Sequence, residues 1–67
     1  LKDIDVRCMN VSGTKKLLRA FPGEPFFVVV SDDRMKAPYD RMLRTQSKVI
    51  DHQAIRDTHD VYFVTAR

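Results

Sequence analysis

The chain has 67 residues, one cysteine, and twelve Lys/Arg against nine Asp/Glu, a net charge of +3. That length allows a single domain spanning 1–67, which buries only about 60% of its unfolded surface and so has a thin core. One cysteine excludes an internal disulfide, and no Cys/His cluster offers a structural metal, so stability must come from packing a sheet against helices.

Residues Lys2 to Arg7 alternate, with Ile4 and Val6 on one side and Asp3, Asp5 and Arg7 on the other. This is the period of a strand with one wet face. Cys8-Met9-Asn10 is a short connection, and Asn10 or Ser12 can cap a helix running to about Phe21. Val11, Thr14, Leu17, Leu18 and Phe21 fall at helical spacing and form an inward stripe, away from Lys15, Lys16 and Arg19. Pro22-Gly23 ends that helix.

Phe26 to Val30 is an unbroken run of aromatic and β-branched residues. A run without polar alternation suits a central strand covered on both faces. Ser31, Asp32 and Asp33 end it and can cap a following helix. Pro38 is awkward inside a helix, so the expectation is a loop through Arg34–Ala37 and a helix from Pro38 to about Gln46. Tyr39, Met42 and Leu43 would form its buried face, with Met35 a candidate addition, and Arg41 and Arg44 would point outward.

Lys48 to Arg56 reads as a third strand whose alternation slips midway, as in a bulged edge strand. Asp57–Asp60 reads as a turn and Val61–Ala66 as a fourth strand, giving an antiparallel hairpin. The order β-α-β-α-β-β with right-handed crossovers implies an α/β two-layer sandwich. It would have a four-stranded mixed sheet, two helices on one face and a partly open second face.

No apolar run reaches the roughly 20 residues of a membrane span, and no signal-peptide pattern opens the chain, so a soluble cytoplasmic protein is expected. The chain starts at Leu1 rather than Met, which fits a protein lacking its first residues or cut from a longer one. His52 and His59 lack a third ligand for zinc, so no metal or cofactor is expected. The basic residues read first as a solvated face. Phe26, Phe27, Tyr62 and Phe63 are candidates for a stacking platform on an open sheet face, with half of them expected to be buried against the helices.

The leading Asp5-Val6-Arg7, the cysteine ahead of a helix, Pro22-Gly23-Glu24, the apolar strand, Ser31-Asp32-Asp33 and the closing Asp60–Arg67 strand together resemble the TusA/SirA-type sulfur-carrier proteins. The resemblance spans essentially the whole chain. It differs at the family's Cys-Pro-x-Pro motif, where Cys8 is followed by Met9-Asn10-Val11. It implies the β-α-β-α-β-β fold and a sulfurtransferase-like role in which Cys8 relays persulfide sulfur from a cysteine desulfurase to an acceptor. Such a carrier needs a thiolate, which a helix start and neighbouring cations favour. Arg7, Lys15, Lys16, Arg19, Arg41 and Arg44 would then receive acidic protein partners. The alternatives are a non-catalytic protein-binding adaptor on the same fold, or a small RNA/DNA-binding domain. Either would be a monomer or weak dimer.

Overall fold

The computed structural model describes residues 2–5, 10–55 and 59–67, with residues 2–5 as backbone. The elements are β1 (Lys2–Asp5), α1 (Val11–Ala20), β2 (Pro25–Val30), α2 (Asp33–Gln46), β3 (Ser47–Ile55) and β4 (His59–Ala66). The fold is mixed α/β. Strands β2, β4 and β3 form an antiparallel sheet with β4 in its middle. β1 runs parallel to β2, in register from Lys2 opposite Phe26 to Asp5 opposite Val29, so the order is β1-β2-β4-β3.

α1 starts where a polar cap precedes an apolar stripe. The Asn10 side-chain oxygen accepts from the Gly13 amide at 2.7 Å, satisfying one of the free first-turn donors. Thr14 and Leu18 are buried, while Val11 and Leu17 pack partly buried against the core. Phe21 leaves the expected stripe and is 37% exposed. Its backbone has already left the helix, at φ −131° and ψ 65°, and its ring packs edge-on against Phe26 from outside the core. Gly23 then takes φ +80°, a conformation glycine adopts without steric cost. Its amide donates to the Ala66 carbonyl at 2.8 Å, and the Ala66 amide donates to the Glu24 carbonyl at 3.0 Å. The turn is thereby pinned to the end of β4 as the chain enters β2.

β2 differs from the expected doubly covered strand. Phe26, Val28 and Val30 are fully buried, but Phe27 and Val29 are only half-buried. β4 alternates in step, with Tyr62, Val64 and Ala66 inside and Val61, Phe63 and Thr65 half-buried. The cause is that the buried side chains of both helices meet the sheet on its Phe26 face. Leu18 from α1 and Tyr39, Met42 and Leu43 from α2 close the same core. Each such large apolar side chain contributes roughly 1.5–3 kcal/mol.

α2 also departs from expectation. It begins at Asp33, and Pro38 lies inside it rather than in its first turn. Asp32 is the cap, its carboxylate accepting from the Arg34 amide at 2.9 Å. Starting there satisfies first-turn donors and brings Met35 against the core. Those gains outweigh the one backbone bond that Pro38, exposed on the helix surface, cannot donate. The far end is closed by Ser47, whose hydroxyl donates to the Leu43 carbonyl at 2.7 Å.

β3 follows α2 without a loop and slips register between Val49 and Asp51, leaving Ile50 53% exposed on the outer strand. β4 starts earlier than expected, because His59 and Asp60 pair with Ile55 and Ala54 instead of turning. Of the expected turn, Asp57 and Thr58 lie outside the described residues, as do Val6 and Arg7 of the first expected strand.

The caps and the internal proline make opposite predictions for stability in urea. Asn10→Ala should lower it by about 1 kcal/mol, the usual cost of losing a cap. Pro38→Ala should raise it by about 1–3 kcal/mol, because it restores a helix-interior donor. A neutral or destabilising Pro38→Ala would show that α2 does not run through this position.

Candidate functional site

Arg7 and Cys8, the centre of the expected carrier site, lie outside the described residues. The cations expected around them divide into two kinds. Lys15, Lys16 and Arg19 sit on α1, a helix with no acidic residue. Arg41 is exposed on α2. Among the described residues these four make no salt bridge. Arg44 points outward as expected, and its Nε lies 3.1 Å from each Asp40 carboxylate oxygen, one helical turn back, so its charge is countered locally. Arg34 and Lys36 are likewise matched, by Asp32 at 3.2 Å and Asp33 at 3.0 Å. Such exposed pairs add little stability but do cancel local charge. Among the described cations of the two helices, Lys15, Lys16 and Arg19 of α1 and Arg41 of α2 make no ion pair.

Two tyrosine hydroxyls tie the layers together. Tyr39, fully buried, shares a 2.9 Å hydrogen bond with the Thr14 hydroxyl and so joins α2 to α1. Tyr62, in β4, donates to Asp40 at 2.8 Å and so joins the sheet to α2. The His52 ring stacks on Tyr62 with centroids 4.1 Å apart and planes within 3°. Its Nε2 lies 3.7 Å from Asp60.

The electrostatics follow from these contacts. Burial and then the hydrogen bond to Asp40 push the Tyr62 hydroxyl well above the ordinary tyrosine range. Burial works against the Asp40 carboxylate, but the hydrogen bonds from Arg44 and Tyr62 outweigh it and hold its pKa below the usual value. At neutral pH Tyr62 thus keeps its proton and Asp40 its charge, with both engaged in holding α2 to the sheet. Neither is poised for general acid–base work, which needs a pKa near the working pH.

Sequence reasoning placed His52 at the strand surface and His59 in a turn. His59 is instead in β4, opposite Ile55, whereas His52 faces Tyr62, so the two histidines lie on opposite faces of the hairpin. Among the described residues no group of three or more His, Cys, Asp or Glu is arranged to hold a metal ion. The Asp40–Tyr62–His52 cluster was missed, since it depends on a register that the bulge near Ile50 shifts. Given that register, cross-strand pairing would have brought His52 and Tyr62 together.

The second feature is the sheet face away from the helices. Phe27 lies opposite Phe63 and Val29 opposite Val61, so four half-buried apolar side chains form a compact block. The two phenyl rings are 4.9 Å apart and inclined at 32°. Asp51 and Gln53 on β3 flank the block in register with Phe63 and Val61. Of the four aromatics considered for a platform, Phe26 and Tyr62 are core and Phe27 and Phe63 remain outside. An apolar centre with a polar margin is the anatomy of a protein-binding surface. Among the described residues no helix is long and apolar enough to cross a membrane.

Two comparisons test these assignments. Phe26→Ala should cost about 3–5 kcal/mol, enough to unfold so small a domain, whereas Phe63→Ser should leave it folded by circular dichroism. Because folding raises the Tyr62 pKa, its contribution is complete below the unfolded value, about 10, and is lost progressively as pH rises from there toward the folded value. Stability should therefore fall more steeply between pH 9 and 11 in the wild type than in Tyr62→Phe, as measured by urea midpoints. Equal slopes would remove the Tyr62–Asp40 tie from the account. Family models, curated proteins and solved structures were each compared with the chain, and none matches it.

Proposed function

We propose that this chain is a small cytoplasmic sulfur-carrier-like protein that works by docking to other proteins, with Cys8 as the group that carries sulfur. The scaffold in this reading is a TusA/SirA-like two-layer sandwich, with two helices on one face of a four-stranded mixed sheet. The observation that carries the proposal is the placement of the single cysteine, two residues before the Asn10 cap of α1, in a chain with the order β-α-β-α-β-β. The first turn of a helix has unsatisfied amides and the positive end of the macrodipole, both of which favour a thiolate. Where the sulfur carriers have Pro-x-Pro, this chain starts its helix on an asparagine cap.

The chemistry asks little of the carrier. The Cys8 thiolate attacks the outer sulfur of a desulfurase persulfide. The desulfurase S–S bond breaks, its cysteine leaves as a thiolate, and a new S–S bond forms on Cys8. An acceptor nucleophile then takes that outer sulfur and releases the Cys8 thiolate. No cofactor is consumed, and the partner's active site supplies any general acid. Lys15, Lys16, Arg19 and Arg41, with Arg7, would steer acidic partners toward the molecule, since uncompensated surface charge accelerates encounter. Arg44 has no part in that steering, because Asp40 already balances it.

A second reading draws on the Phe27, Val29, Val61 and Phe63 block. A half-open apolar surface of this kind suits a non-catalytic adaptor that holds a protein on its sheet without using the thiol. A small RNA/DNA-binding domain has less support: Asp51 sits in register with Phe63 at the edge of the platform, where phosphates would be repelled.

The test is to incubate the protein with a cysteine desulfurase, cysteine and isotopically labelled sulfur, and to locate the label by mass spectrometry. A labelled persulfide on Cys8, absent from Cys8→Ser, is the expected result. No label under conditions that load an established carrier would remove the sulfur-transfer reading. Capture of the same partner by Cys8→Ser but not by Phe63→Ser would establish the adaptor in its place. Nucleic-acid binding that weakens steeply with added salt would point to the third reading.

A further inference from the structure

We draw no further inference here: the strongest candidate, the half-buried apolar block of Phe27, Val29, Val61 and Phe63 on the sheet face away from the helices, carries nothing beyond the adaptor reading because nothing in the structure shows what covers it.

Discussion

Everything in this domain depends on β2 having one closed face and one open face. Phe26, Val28 and Val30 lose all contact with water, and the helices exist as packed elements only because that row is there to receive Leu18, Tyr39 and Leu43. Isolated helices as short as α1 are marginal in water, so the apolar stripe, rather than propensity, holds it in place. The opposite row, Phe27 and Val29, is equally apolar in sequence but meets no helix. Two helices close the Phe26 face of the sheet, and neither helix meets the opposite face.

The polar contacts refine that arrangement. With so little core, each buried hydroxyl must be matched, and among the described residues no buried side-chain nitrogen or oxygen lacks a partner. The buried Thr14 hydroxyl donates to the Asn10 carbonyl and also meets Tyr39. Ser47 closes on Leu43, and Tyr62 reaches out of the core to Asp40. These bonds fix how α1 sits against α2 and how α2 sits over β4. They give a small scaffold one geometry. Charge follows the same division: α2 neutralises most of its own cations locally, while α1 has no acid with which to do so.

Much of this was legible from the residues alone. The element order, the Asn10 cap, the turn at Pro22-Gly23, the buried Tyr39–Met42–Leu43 face and the register slip in β3 follow from local signals that act over a few residues. Where the reading failed, the deciding force was not local. Pro38 argues for a late helix start, but Asp32 capping and the burial of Met35 decide in favour of Asp33. Five apolar residues in β2 look doubly buried, yet a sequence cannot count how many layers will be available to cover them. The His52–Tyr62 stack depends on a bulged register between two strands. The carrier assignment itself rests on Cys8 and Arg7, outside the described residues, and so on the resemblance and on the capped helix immediately downstream.

If Cys8 carries sulfur, as proposed, its thiol is ionised more readily than that of an ordinary cysteine. The rate of Cys8 alkylation in the folded protein, followed as a function of pH, tests it most directly. The expected midpoint lies clearly below about 8.5, the value for an unperturbed thiol. A midpoint at or above that value, or a thiol that reacts only after urea unfolds the domain, would contradict it.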